Sequence, residues 1–204
     1  MHDLDKALGD IVSIRRQLAR ATVFRGYGPA TLAATAGFAF AAALVQSFWL
    51  PAPAHHPLAY LAIWIGTAIL SGALIAVQTW ARTRRIHSGM ADEMLHQAIE
   101  QFLPSAVAGA LLTVAILRFV PASLWMLPGL WQITFSLGVF ASCRFLPRPM
   151  TLAGAWYLLS ALTCIALAGD RALSPWAMGL PFCAGQLLVA AILYFTAERG
   201  TDEI

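Results

Sequence analysis

Apolar residues fill six stretches of the chain almost without interruption. Each has the length an α-helix needs to cross a hydrocarbon core, roughly twenty residues for about 30 Å. They run approximately 30–50, 58–80, 102–120, 124–143, 150–168 and 175–197. Most of the joints between them are short, which makes consecutive helices antiparallel neighbours. The pattern predicts an all-α membrane protein with six transmembrane helices arranged as three antiparallel hairpins. The bundle occupies 29–198 and is interrupted by a cytoplasmic segment at 81–101. An N-terminal amphipathic cytoplasmic helix and a Gly-Pro turn precede it over 1–28, and a cytoplasmic tail follows at 199–204.

Each apolar stretch opens on or near a proline: Pro29, Pro57, Pro104, Pro121, Pro149 and Pro175. Proline at the first helical position forfeits no hydrogen bond and presets φ, so these residues read as helix starts. The odd-numbered stretches also look alike, with "PATLAATAG" from Pro29, "PSAVAGALL" from Pro104 and "PMTLAGAWYLL" from Pro149. "FLP" recurs at Phe102–Pro104 and Phe145–Pro147. These matches suggest an internal repeat of three hairpins; the alternative is a chance likeness among helices rich in small residues. Rows of small residues at Ala33, Gly37, Ala41, at Ala68, Gly72, Ala76 and at Ser105, Gly109, Thr113 read as helix-packing seams.

Composition agrees with lipid as the solvent. Hydrophobic residues make up 59% of the chain and charged residues 11%, with a mean hydropathy of +0.70. The net charge of +3 is explained by topology. Eleven basic residues fall on one side of the predicted spans and two, Arg118 and Arg171, on the other. Lysine and arginine gather in cytoplasmic loops, so both termini are expected to face the cytoplasm of a bacterial inner membrane. Trp49, Trp80, Trp125 and Trp176 stand near predicted helix ends, where amphipathic rings favour the interface. The first twenty-eight residues carry charges throughout and lack the short apolar core and cleavage site of a secretory signal, so the first span reads as an uncleaved anchor.

The spans hold no acid and no histidine, which narrows the chemistry. Haem ligation within the bilayer and proton-coupled transport both need such groups in the membrane. No G-x-x-x-x-G-K-[ST] motif is present, so nucleotide-driven pumping by this chain alone is excluded. Cys143, Cys164 and Cys183 have no metal-ligand spacing and read as small apolar residues. Glu93, His96 and Glu100 share a face of the segment 81–101, but one face supplies too few ligands for a metal site. His55 and His56 read as exposed loop residues, and Arg118 could pair with Asp170 beside Arg171. No enzymatic activity, cofactor, metal or nucleic acid is expected.

Pro128 and Pro181 lie inside the fourth and sixth stretches, each followed by an amide, Gln132 and Gln186. An internal proline frees a backbone carbonyl, and a nearby amide can line a polar cavity. Gln132, Gln186, Ser136 and Ser160 are therefore candidate cavity-lining residues. The ordinary alternative is interhelical hydrogen bonding worth about 1 kcal/mol each.

Near the N-terminus, Leu4, Leu8, Ile11, Val12, Ile14, Leu18 and Thr22 fall on one helical face. Lys6, Ser13, Arg16 and Arg20 fall opposite, while Arg15 projects from the apolar stripe and is placed to snorkel toward lipid phosphate or a partner's acid. The stretch "IRRQLARATVF", Ile14–Phe24, resembles the I-R-x-L-M-E-R-S-x-R-F stretch of a family of uncharacterised bacterial multi-pass membrane proteins. Ile14, Arg15, Arg20 and Phe24 match outright, with Leu18 and Ala21 as close substitutes. Ala19 stands where that family has glutamate and Val23 where it has arginine, and a looser likeness appears at "LPGLW". The resemblance implies a multi-pass membrane fold and a link with soluble winged-helix regulators, but no activity. Arg15, Arg16, Arg20 and Phe24 are thus candidate contacts for a partner or a lipid headgroup.

Two functions are expected from these features. One is a non-catalytic membrane protein that docks or regulates a soluble cytoplasmic or membrane partner through its cytoplasmic helices, Leu4–Thr22 and Met90–Phe102. The other is a passive channel or carrier for a small neutral or amphipathic solute. Homo-oligomers are compatible with both.

Overall fold

The computed structural model describes residues 28–83, 89–144, 146–167 and 169–202. The described residues are helical throughout, in the order α1 (Pro29–Trp49), α2 (Pro57–Thr83), α3 (Gly89–Phe119), α4 (Leu127–Ser142), α5 (Met150–Leu167) and α6 (Pro175–Asp202). Short 3-10 turns at Pro53–His55, Pro121–Met126 and Gly169–Leu173 sit between them. Six helical segments are long and apolar enough to cross a membrane: Pro29–Trp49, Pro57–Ala81, Ile99–Phe119, Pro121–Ser142, Met150–Leu167 and Pro175–Thr196. These bounds lie close to the apolar stretches. The amphipathic helix expected over 1–28 lies outside the described residues apart from Gly28, as do Arg15, Arg16, Arg20 and Phe24.

Proline starts α1, α2 and α6, as the sequence predicts. Gly28 is extended ahead of Pro29, and the Ser174 hydroxyl accepts from the Ala177 amide to cap α6 at 3.2 Å. Gly169 adopts φ +56°, a left-handed conformation open to a residue without Cβ, and turns the chain after α5. Two prolines behave differently from expectation. Pro104 does not open a helix but sits inside α3, which runs unbroken from Gly89 to Phe119. Pro128 produces no mid-helix kink. The α-helix begins at Leu127 after a 3-10 turn, so Pro128 occupies the first turn, where its missing N–H has no carbonyl to serve.

The most extensive helix pairs are α1 with α6, α4 with α5, and α3 with α4, followed by α1 with α2. The bundle therefore divides into two three-helix halves: α1, α2 and α6 in one, α3, α4 and α5 in the other. They meet along α5 and α6 and through the 3-10 turns. Consecutive helices within each expected hairpin do touch, but the closest packing of α1 and of α5 is to helices outside their own hairpin.

Glycine explains how closely the helices within each half approach. A Cβ on Gly179 would stand 2.4 Å from Ala43 Cβ, and one on Gly138 would stand 2.6 Å from the Phe102 ring. Backbone contact of this kind gains dispersion energy that lipid cannot match. Of the three small-residue rows, Ser105, Gly109 and Thr113 form a true seam against α4, where the Trp131 indole donates to Thr113 Oγ1 at 2.8 Å. Ala33, Gly37, Ala41 and Ala68, Gly72, Ala76 instead lie on exposed faces, a correction to the seams read from spacing. Nothing approaches the Cβ positions of Gly37 or Gly72 within 4 Å.

Gly179→Leu is expected to lower stability by about 1–3 kcal/mol through overpacking, whereas Gly72→Leu, with open space around it, is expected to be tolerated. Thermal unfolding of the two variants in detergent checks the contrast.

Candidate functional site

Both ends of the seam between the halves are closed by apolar side chains. At the end carrying the 3-10 turns, Tyr60, Trp64, Leu173 and Met178 share a core cluster with Ile116, Leu124 and Leu127 of the other half. At the opposite end, Leu32, Ile192 and Leu193 cluster with Met150, and Ile75, Cys143 and Leu146 pack against them. Burial raises the Cys143 thiol above its ordinary value, which disfavours the thiolate there. Between the two closures lies a belt of amides, hydroxyls and aromatic rings.

Gln132 and Ser136 are one turn apart on α4, and both are fully buried. Gln132 Nε2 donates to the Ala177 carbonyl of α6 at 2.9 Å and approaches Met178 Sδ at 3.7 Å. The choice of carbonyl has a covalent cause. Pro181 is inside α6 and has no N–H, so the carbonyl four residues before it, Ala177, loses its helical donor. Gln132 supplies the replacement from the other half of the molecule. The Trp156 indole of α5 donates to Pro181 O at 2.9 Å, so side chains from two helices hold α6 on both sides of its gap.

Ser136 Oγ donates to the Gly154 carbonyl of α5 at 2.7 Å. Above it, Phe135 packs edge-on against Phe102 and Phe182, with centroids 5.1 Å and 5.4 Å away, and lies 4.7 Å from the Tyr157 ring. Tyr157 is fully buried and presses its phenol against Gly185 of α6, where a Cβ would stand 2.4 Å from its oxygen. Gln186 reaches the Tyr157 hydroxyl across the seam, short of hydrogen-bond geometry. Thus three of the four predicted polar residues, Gln132, Ser136 and Gln186, gather around the meeting of α4, α5 and α6. Ser160 is half-buried on α5 near Tyr157, and no hydrogen bond joins it to the other three among the described residues.

Four buried polar side-chain atoms have no partner among the described residues: Gln132 Oε1, Tyr157 OH, Tyr60 OH and Thr79 Oγ1. Three of them face the seam. Gln132 reaches across to α6, Tyr157 rests on α6, and Tyr60 of α2 shares its core cluster with Ile116, Leu124 and Leu127 of the other half. An unpaired polar atom in a water-poor interior carries a desolvation cost of about 1–3 kcal/mol. Its concentration at one seam marks where the protein has hydrogen-bonding capacity left over.

Sequence reasoning missed Tyr157, Tyr60 and above all Gln46. Gln46 is fully buried on α1. Its Nε2 donates to Leu173 O and its Oε1 accepts from the Trp64 indole, both at 2.7 Å. One amide thereby ties α1, α2 and the 3-10 turn before α6. The available signal was a lone amide in an apolar stretch, the same signal that drew attention to Gln132 and Gln186. At the opposite end of the same half, Thr31 donates to Gln78 Oε1.

Comparison with known proteins finds no matching family model, no matching curated sequence and no matching solved structure. The functional reading therefore rests on the geometry of the seam.

Gln46→Leu is expected to cost about 1–3 kcal/mol, because it breaks two bonds and leaves the Leu173 carbonyl and the Trp64 indole without partners. Ser47→Ala, which removes only a bond to the carbonyl of Leu44 in the same helix, should leave stability within about 0.5 kcal/mol. Denaturation of both variants in detergent, followed by tryptophan fluorescence, measures the difference.

Proposed function

We propose that this protein is a non-catalytic integral protein of the bacterial inner membrane that passes a small neutral or amphipathic solute across the bilayer between its two halves. The observation that carries the reading is the position of Gln132 Oε1 and Tyr157 OH. Both are buried and without a partner among the described residues, Gln132 beside Met178 of one apolar closure and Tyr157 against Gly185 further along α6. A solute with its own donors and acceptors can satisfy such atoms, and a seam between two helical units is where carriers place their sites. Apart from Glu100 at the start of the third span, the spans contain no acid, which suits an uncharged solute that moves down its own gradient. Gln132, Ser136 and Gln186 would line the path, with Ser160 along α5, and both termini would face the cytoplasm, as the distribution of basic residues favours.

A second reading, docking of a soluble or membrane partner, is favoured by a different observation. The helix α3 starts at Gly89, well before its apolar span begins at Ile99, and continues without a break through Pro104. A partner held on the segment before Ile99 would be coupled mechanically to a membrane helix that packs on α4. The candidate contacts Arg15, Arg16, Arg20 and Phe24 belong to this reading.

Purified protein in liposomes should accelerate glycerol or urea equilibration, followed by light scattering after an osmotic step, above protein-free liposomes. Equal rates with and without protein would remove the solute reading and leave docking, which pull-down from native membranes with and without residues 2–12 would then test.

A further inference from the structure

The amide of Gln132 is held in one orientation by the backbone it serves. A carbonyl oxygen can only accept, so the Ala177 carbonyl that Pro181 leaves without a donor must face Nε2. Oε1 is then turned away from that bond, buried and without a partner. Flipping the amide would place two acceptors against each other in a water-poor interior, at the cost of an unpaired carbonyl as well. The side chain is therefore left with one polar atom that has no partner among the described residues, and that atom accepts hydrogen bonds.

We propose that Gln132, fixed by the carbonyl that Pro181 frees, determines the specificity of the seam for uncharged solutes that carry an O–H or N–H donor, and disfavours solutes that only accept. This rests on the solute-passing reading above and adds to it the class of solute and the residue that selects it. Two further features fit a donor-bearing solute of modest size. The Tyr157 hydroxyl, further along α6 at Gly185, can give or take a hydrogen bond and so would serve a solute that carries a donor. The rings of Phe135 and Phe182 pack beside it and provide an apolar wall. Pro181 thus acts at a distance from the solute: it is a positioning residue, and its effect reaches the solute through Gln132.

The test uses full-length protein in liposomes with glycerol and urea, which have donors, and trimethylamine N-oxide, which has only an acceptor. Wild type is expected to pass glycerol and urea about tenfold faster than trimethylamine N-oxide after subtraction of the lipid background, the ratio given by one hydrogen bond's worth of discrimination. Gln132→Leu should bring glycerol and urea near the background. Pro181→Ala restores a backbone N–H for Ala177, frees the amide to turn, and should raise trimethylamine N-oxide passage toward that of urea.

Thermal unfolding in detergent supplies a readout independent of passage. Gln132→Leu should lower the unfolding temperature in wild type and have little effect in the Pro181→Ala background, where Ala177 has another donor. If wild type passes the solutes but Pro181→Ala keeps the same preference, the specificity role of Gln132 is overturned and the passage stands. If Gln132→Leu costs the same stability in both backgrounds, the fixed orientation itself is overturned. If no solute exceeds the lipid background even for wild type, the passage falls, and the specificity assignment falls with it.

Discussion

Inside hydrocarbon a polar group has no water to turn to, and the architecture of this protein follows from how its few amides and hydroxyls meet that constraint. The carbonyl of Ala177 shows it most directly. Pro181 removes its helical donor, and α6 can keep its course through the membrane because Gln132 reaches over from α4 to replace that donor. That one bond joins the two halves of the bundle in the first turn of α6, beside Met178 of the closure at the end carrying the 3-10 turns. Trp156, on the carbonyl of Pro181 itself, adds a second tie from α5. Gln46 solves the same problem within the other half, where it ends the chain of partners for the Trp64 indole and the Leu173 carbonyl.

Close approach and hydrogen bonding divide the work between them. Within each half the helices are brought together by glycine and alanine, as at Gly179 on Ala43 and Gly138 on Phe102. Between the halves, side chains span the gap: aromatic rings, one amide and one indole. Contacts made by side chains can be remade in a new arrangement more easily than backbone-to-backbone seams can. The sparse burial of α2 and α3, whose apolar windows are 17% and 11% buried, places these two helices at the margins of the bundle, where lipid covers most of their surface.

How much of this was legible in the sequence depends on whether the signal was local. The six spans were, since length and apolar content are properties of single segments, and their bounds agree with the membrane-length apolar segments of the helices to within a few residues. The starts at Pro29, Pro57 and Pro175 were legible for the same reason. Partner choice was not. The row Ser105, Gly109, Thr113 and the row Ala68, Gly72, Ala76 have the same spacing, yet one is a seam and the other is exposed. Small residues at that spacing permit a neighbour to approach, and only the rest of the chain decides whether one does. Pro104 was read as a start because its apolar stretch begins there, but helical propensity in the preceding segment carries the helix upstream to Gly89. The amides were legible as residues of interest, whereas their roles were not: Gln132 and Gln46 serve carbonyls 45 and 127 residues away in sequence.

The emptiness of the spans and the surplus at the seam bear on each other. A bundle that only needed to be stable would gain by pairing Gln132 Oε1 and by pairing or replacing Tyr157 and Tyr60, because each unpaired buried atom works against folding. At the two tyrosines, phenylalanine would fill a similar volume without that cost. The unpaired atoms lie on three different helices, α2, α4 and α5, so they do not arise from a single local accident of backbone geometry. They have in common the surface they face. Glu100 and Arg118, at the two ends of one span, are the charged residues within the spans, and so the capacity left open at the seam is for hydrogen bonds and not for charge. A surface of that kind discriminates by the pattern of donors and acceptors a molecule brings.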